Sequence, residues 1–298
     1  MTVRHYKISF IGAGKMGLPV CKRLKVAGHD VHVLARTPER AKEFEALGLG
    51  SAANVAMLIK NADVVFTCVS DDAALASVVL DDAFNTALPP NATLIDMSTV
   101  SPAISAKIAA HLHGSVRYLR SPVSGSTGMA EAGTLTALVS GPKAAFDEAT
   151  AIFANFTKKA FHLGESEEAR YLKLAINSMV AATSALLGEA LAFGAKGGLS
   201  NAAMLDVITQ SAVASPLIGY KKDMIISGDY TPAATLNMLM KDLDLLLSTA
   251  GQHDTRLPVN SMIRNIYRDA ADRGLGDKDF FVLVQEAEKQ AAGSVVEN

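Results

Sequence analysis

The stretch KISFIGAGKMGLPVCKRLKVAG, from Lys7 to Gly28, decides the fold. Lys7 to Ile11 is a short apolar strand that runs directly into Gly12-Ala13-Gly14-Lys15-Met16-Gly17 and then into the helical pattern LPVCKRLKVAG. G-x-G-x-x-G between a strand and a helix has a mechanical reading. Gly12 permits the tight turn, Gly14 lets the backbone approach a diphosphate, and Gly17 lets helix and strand pack closely, with the helix N-terminus facing the phosphates. Gly12, Ala13, Gly14, Lys15, Met16 and Gly17 therefore form a candidate dinucleotide loop.

Gly28 ends that helix, and Val31 to Leu34 makes a second strand. In NAD binders an Asp or Glu just past this strand takes the ribose hydroxyls, but here the segment is Leu34-Ala35-Arg36-Thr37-Pro38-Glu39-Arg40. Arg36 and Thr37, with Arg40 as a third contact, suit a 2′-phosphate through charge-assisted contacts. NADP(H) is expected over NAD(H), with NAD(H) still admitted, because Arg36 stacked on adenine would leave the choice loose.

Helices and short apolar strands then alternate. Helices are expected near 38–46, 52–61, from Asp72 and over 102–113, with strands at 64–69, 93–95 and 116–119. This pattern means a parallel sheet covered on both faces, with ligands past the carboxyl ends of its strands. Val69-Ser70-Asp71, Ser98-Thr99 and Ser121 to Ser126 fall on that rim, so Val69 and Ser70 become candidate cofactor contacts. The segment from Pro122 to Gly128 is rich in small and hydroxyl residues; it suits a substrate carboxylate held by Ser124 and backbone N–H groups, or an ordinary Gly/Ser turn. A strand at 135–140, a helix from Pro142 and a strand near 160–163 complete this half.

From Ser166, a suitable N-cap, to Gly198 the chain is apolar on all sides and free of proline. Such a helix is normally buried. Lys173 and, one turn later, Asn177 share a face. The pair reads either as a catalytic lysine with its amide or as a lysine that reaches solvent from a core helix. Further helices follow near 201–212, 217–226, 235–250, 258–273 and 280–290, and Lys221-Lys222 reads as a solvated face. The expected fold class is α/β: a Rossmann-type doubly wound parallel sheet (1–163), then an all-helical C-terminal substrate and oligomerisation domain (164–298), joined by a long interdomain helix at about 166–196.

Bulk composition excludes several classes. Of 298 residues 49% are hydrophobic and 19% charged, with a net charge of -2, so no nucleic-acid partner and no membrane partner is expected. Cys21 and Cys68 lack metal-type spacing, as do the seven histidines, so no metal is expected. With reduced thiols and a strand beginning almost at once, the expected location is cytoplasmic. Met238, Met240 and the apolar helices suit a homodimer or homotetramer, although core packing gives the same pattern.

The assembled motifs resemble the β-hydroxyacid dehydrogenase family, which includes 3-hydroxyisobutyrate dehydrogenases, tartronate semialdehyde reductases and glyoxylate/succinic semialdehyde reductases. The resemblance covers nearly the whole chain: IGAGKMGLPV at Ile11 to Val20, DMSTVSP at Asp96 to Pro102, PVSGSTGMAEAGTL at Pro122 to Leu135, KLAIN at Lys173 to Asn177, MKDLDLLL at Met240 to Leu247 and GLGDKDF at Gly274 to Phe280. By position it implies Lys173 as the catalytic lysine and Asn177 as its amide partner. It puts Ser124, Gly125 and Ser126 on the substrate carboxylate, Thr99 and Lys241 on the cofactor, and Asp242 beside that lysine on the substrate side.

Three departures bear on substrate shape: Arg120-Ser121 where Asp-Ala is common, Ser126 ending the small-residue loop, and Ile176 before Asn177 where paired asparagines are usual. Val69-Ser70 also replaces a common Leu-Pro. The stretch Ser211 to Leu217 resembles the glyoxylate and succinic semialdehyde reductase branch. The resemblance implies an NADP(H)-dependent reductase of small carboxylate-bearing aldehydes, with Lys173 as general acid, its pKa lowered by burial. Alternatives are an oxidative 3-hydroxyacid dehydrogenase acting on a hydroxyisobutyrate, serine or threonate-like compound, and an imine reductase or non-catalytic dinucleotide binder; retention of Lys173 argues against the last two.

Overall fold

The computed structural model describes residues 4–293. Within it the chain divides into two compact units between Lys173 and Leu174. In the first unit, strands β1 (Lys7–Ile11), β2 (Asp30–Leu34), β3 (Gly50–Ala52), β4 (Val64–Thr67), β5 (Thr93–Asp96) and β6 (Arg117–Arg120) form a wholly parallel sheet of order β3-β2-β1-β4-β5-β6. The order reverses between β1 and β4, the switch point where such sheets bind dinucleotides.

Side chains alternate across this sheet because strand periodicity is two. Ile8, Phe10, Val33, Phe66 and Ile95 enter one apolar core, which helices α1 (Gly17–Val26) and α2 (Pro38–Ala46) join through Val20, Leu24 and Phe44. Ile11, Val65 and Leu94 enter the core on the other face, under α3 (Val55–Ile59), α4 (Asp72–Val79), α5 (Asp82–Ala87) and α6 (Pro102–His111). Two faces of one strand thus feed two cores, which is why these strands read as continuous apolar runs.

Side-chain oxygens start most of these helices: Thr37, Asn54, Asp71, Asp81 and Ser101 each accept a backbone N–H of the first turn. Strand β3 and helix α5 depart from the sequence expectation, which ran one helix through 52–61 and gave α5 no place. β3 has only Gly50, Ser51 and Ala52 to offer, with no apolar run to mark it.

The chain then builds a separate three-stranded sheet, β7 (Val123–Ser124), β8 (Leu135–Val139) and β9 (Thr157–His162), with β7 antiparallel and β9 parallel to β8. Helix α7 (Thr127–Ala132) lies between β7 and β8 in sequence, and α8 (Lys143–Phe153) between β8 and β9.

Helix α9 spans Glu168–Lys196, so Lys173 lies in the first unit and Asn177 in the second. Ser166 is not its N-cap: the first helical N–H groups, of Arg170 and Tyr171, bond the Glu167 carbonyl. The Ser166 N–H is taken by the Glu168 carboxylate at 2.8 Å, and its carbonyl by the Ser140 hydroxyl at 2.7 Å. Nor is the helix buried all round. Met179, Leu186 and Phe193 are 71%, 68% and 83% exposed and recur every seven residues, an apolar stripe along one face. By length and composition alone α9 could also cross a bilayer.

The second unit is helical. The rest of α9 packs with α10 (Asn201–Ile208), α11 (Pro216–Ser227), α12 (Leu236–Gln252), α13 (Pro258–Ala270) and α14 (Leu283–Gly293) around Leu187, Leu191, Leu205, Leu243, Tyr267 and Phe281. Gly188 lets α9 approach the start of α14 closely, since a Cβ there would lie 3.0 Å from the Leu283 carbonyl oxygen.

Candidate active site

The loop after β1 has the geometry its sequence demands. Gly12 has φ of +99°, and a Cβ on it would sit 2.1 Å from the Cys68 carbonyl oxygen; a Cβ on Gly17 would sit 2.4 Å from the Gly12 oxygen. A Cβ on Gly14 would meet nothing within 4 Å, so the space in front of it is open. Behind it, α1 starts at Met16 with no side-chain cap and no acidic residue in its first turn. With no side-chain cap and no carboxylate there, this helix N-terminus suits an anion, which the helix dipole also favours. An open glycine before an uncapped helix fits a dinucleotide diphosphate. Beside this loop burial, with the nearby Asp96 charge, pushes the Cys68 thiol up to about 12, which favours its protonated form.

Past β2 the polar groups are arranged for recognition at α2. Arg36 and Thr37 are exposed, and Thr37 Oγ1 accepts the Arg40 N–H at 3.4 Å. Arg40 is more firmly placed than sequence reasoning suggests: Nη2 donates to the Ala13 carbonyl at 2.9 Å, Nη1 pairs with Glu43, and the guanidinium lies 4.6 Å from the Phe44 ring centroid. Glu39 on the same turn is held ionised by its backbone bond and by the Thr37 hydroxyl.

Other rim residues follow β4, β5 and β6. The Val69 N–H donates to Ser98 Oγ at 3.0 Å, which joins two of the loops; Ser70 Oγ donates to Asp71, the cap of α4. Thr99 is half-buried after β5. The Ser124 to Ser126 loop is more regular than a simple nest. Ser124 pairs with Thr136 across β7 and β8, Gly125 has φ of +138°, and Ser126 caps α7 by accepting the Met129 N–H at 3.3 Å. That positive φ favours glycine at 125, where a Cβ would also press on the Leu135 side chain at 2.7 Å.

Lys173 is half-buried on the second turn of α9, in the same unit as this rim. The remaining expected residues fall in the helical unit, where they touch one another. Asn177 Nδ2 donates to Asp242 Oδ2 at 2.5 Å, and Lys241 Nζ lies 2.9 Å from Asp242 Oδ1, an ion pair without hydrogen-bond alignment. Both oxygens of the buried Asp242 carboxylate thus face protein groups, so it orients Asn177. Lys221, expected on a solvated face, is instead buried against Asp279 at 2.5 Å, with Phe280 and Phe281 about its ammonium; Lys222 pairs with Asp206. A carboxylate and aromatic faces supply what water would otherwise give that charge.

Sequence reasoning also missed two buried ion pairs at the entry to α9, Arg170 with Asp96 and Arg120 with Glu167. The signals were present: Asp96 heads the quoted DMSTVSP motif, and Arg120 is a charge at a strand end.

The fold and rim define the chain as a nicotinamide dinucleotide-binding protein of the doubly wound class. Residues 7–164 match the NAD binding domain of 6-phosphogluconate dehydrogenase, and residues 168–286 match the NAD-binding region of NADP-dependent 3-hydroxyisobutyrate dehydrogenase. Glyoxylate/succinic semialdehyde reductase 1 of Arabidopsis thaliana is 30% identical over 94% of this chain and 97% of its own length. The chain spans about half the length, 49%, of another curated relative, the cytokine-like nuclear factor N-PAC of Anopheles gambiae, at 30% identity over 92% of this chain. Among solved structures, Mycobacterium tuberculosis 3-hydroxyisobutyrate dehydrogenase with L-serine superposes with a TM-score of 0.86 at 25% identity, covering 95% of this chain and 99% of that one. Psf3 in complex with NADP+ and 2-OPP gives 0.86 at 25% identity, covering 94% and 99%. The chain belongs to the β-hydroxyacid dehydrogenase family, whose members are NAD(P)-dependent oxidoreductases acting on CH–OH groups.

Proposed function

We propose that the chain is an NADP(H)-dependent reductase of small carboxylate-bearing aldehydes such as glyoxylate or succinic semialdehyde. The observation that carries this reading is Lys173, half-buried at the start of α9 in the same compact unit as an open glycine loop and an uncapped helix N-terminus. The N–H groups of α1 hold the diphosphate, and Arg36, Thr37 and Arg40 meet the 2′-phosphate. Ser124 and the backbone around Gly125 and Ser126 hold the substrate carboxylate. When bound, the nicotinamide supplies the hydride that goes to the carbonyl carbon. Lys173 Nζ gives its proton to the carbonyl oxygen as negative charge develops there; Asn177, one turn further along α9, is oriented by Asp242.

A second reading is the reverse reaction on a hydroxy acid; it draws on the relative whose structure is described with L-serine. Self-association as a homodimer or homotetramer is proposed through the exposed stripe of Met179, Leu186 and Phe193.

The test is oxidation of NADPH and NADH with glyoxylate, succinic semialdehyde, methylmalonate semialdehyde and tartronate semialdehyde. Arg36→Ala is expected to lower kcat/KM with NADPH about tenfold and leave NADH unchanged, in keeping with one lost charge-assisted contact. Inactivity with all four acids would sink the substrate class. A wild-type preference for NADH would sink the role of Arg36.

A further inference from the structure

Two buried ion pairs bind the entry of α9 to two different strand ends of the sheet unit. Arg170, fully buried, pairs with Asp96 at the end of β5. Its Nη1 donates to the Ser98 carbonyl at 2.7 Å, Nη2 to the Tyr118 hydroxyl at 3.1 Å and Nε to Ser105 Oγ at 3.3 Å. Asp96 Oδ1 accepts from Thr67 Oγ1 at 2.8 Å and from the Ser98 N–H at 3.0 Å, which leaves neither oxygen idle.

The second pair starts from the end of β6. Arg120 gives Glu167 Oε1 two bonds, from Nε at 3.0 Å and Nη2 at 2.5 Å, with its guanidinium 4.4 Å from the Tyr118 ring centroid. Glu167 in turn offers the carbonyl that starts α9. The arginine at 120 is thus matched by a glutamate at 167.

The connectivity gives these pairs a purpose beyond stability. The chain leaves β5 through Ser98 and Thr99, and leaves β6 through the segment that reaches Ser124 to Ser126. Lys173 follows Arg170 by three residues, less than one helical turn and about 4.5 Å along the axis. Buried ion pairs are weak contributors to stability, since desolvation offsets most of their attraction. A guanidinium fork is, however, directional, and Arg170 meets its four partners in only one orientation of the first turn.

We propose that Arg170 with Asp96, and Arg120 with Glu167, are positioning pairs that fix the depth and rotation of the Lys173 turn against the Thr99 and Ser124 loops. The proposal rests on Lys173 being the general acid. Displacement of a catalytic group by about 1 Å costs on the order of 10²-fold in rate, so the pairs act on kcat rather than on cofactor binding.

The experiment compares wild type, Arg170→Lys, Arg120→Lys and Lys173→Ala in kcat and its pH profile, NADPH affinity and melting temperature. Each arginine variant keeps a charge but loses the fork. Both are expected to lower kcat at least about tenfold per folded molecule, to shift the kcat–pH limb of the lysine, and to change NADPH affinity less than about threefold. Wild-type kcat and pH profile in folded arginine variants, with only a lower melting temperature, would overturn the positioning role. If Lys173→Ala is inactive and the arginine variants are normal, only this inference fails; if Lys173→Ala is fully active, the general-acid reading beneath it fails. Should Arg170→Lys not fold, Tyr118→Phe, which removes the hydroxyl that meets Arg170, Asp96 and Ser105, and Glu167→Gln, which removes a charge, are expected to lower kcat about two- to fivefold, and an unchanged kcat there counts against the proposal.

Discussion

The two units differ in where they place their apolar residues. In the sheet unit Ile8, Phe10, Val33, Phe66 and Leu94 are buried, because these strands of the parallel sheet feed apolar cores on both faces. In the helical unit Met179, Leu186, Phe193, Val207, Val213, Val259 and Met262 are each more than half exposed. A helix has one stripe toward its core, and any apolar residue outside that stripe faces outward unless another surface covers it. The parallel strands of the sheet unit thus bury their apolar runs, with Val26 and Met57 on its helices as exposed exceptions, whereas the helical unit carries a repeated apolar stripe suited to a further contact.

Buried charge differs as well. In the sheet unit it gathers at the entry to α9, where Arg170 and Arg120 meet Asp96 and Glu167. In the helical unit Lys221 and Asp279 join α11 to the turn before α14, between the rings of Phe280 and Phe281. The first set lies beside proposed chemistry and the second is structural.

This contrast can be broken most forcefully at Asp279. Asp279→Ala leaves the Lys221 ammonium without its carboxylate and is expected to cost about 3–5 kcal/mol, read by denaturant unfolding, while per-molecule kcat of the folded protein stays at wild type. A fall in kcat with little loss of stability would place that pair among the functional charges instead.

Alkaline unfolding sharpens the comparison at intermediate size. Burial pushes the Tyr118 hydroxyl in the sheet unit up to about 12, against the ordinary 10.0. Burial does the same to Tyr230 in the helical unit, to about 12, and also raises Tyr267, whose hydroxyl lies 2.7 Å from Ser184 Oγ. Above pH 10 the unfolded chain loses phenolic protons that the folded chain keeps. The contribution is thus full below pH 10 and is lost as pH rises toward 12. Unfolding midpoints measured from pH 9 to 12 should fall in wild type, and more shallowly in Tyr230→Phe with Tyr267→Phe than in Tyr118→Phe.

The smallest expected effect is on the exposed stripe. Phe193→Ser should alter stability of the isolated chain by no more than about 0.5 kcal/mol, as surface substitutions do. Sedimentation should nonetheless show weaker self-association; an unchanged sedimentation profile would remove the stripe as the contact.

Much of the sheet unit was legible because its signals are local. Gly12, Gly14 and Gly17 sit at fixed spacing between a strand and a helix, and Thr37, Asp71 and Ser101 announce helices α2, α4 and α6 within three residues of the N–H groups they cap. Lys173 with Asn177, and the Ser124 loop, stood out from spacing and composition with two readings each, and only the motif resemblance favoured one. What stayed hidden depends on partners distant in sequence: Arg120 and Glu167 lie 47 residues apart, Lys221 and Asp279 58, and Arg170 and Asp96 74. Nothing local marks Lys221 as buried or Ser166 as lying outside the helix, because tertiary neighbours settle both. The exposed stripe was hidden for a different reason, since apolar periodicity says which residues share a face and not whether that face is covered.

Lys173 remains the residue on which the account turns. Stopped-flow oxidation of bound NADPH at saturating aldehyde acid, in wild type and Lys173→Ala, with NADPH binding titrated in parallel, tests it most directly. The expected result is a rate lower by about 10²–10⁴ in the variant, as for loss of a general acid, with NADPH affinity within about threefold of wild type. A variant that oxidises NADPH at the wild-type rate, or that loses binding in proportion to turnover, would contradict the assignment.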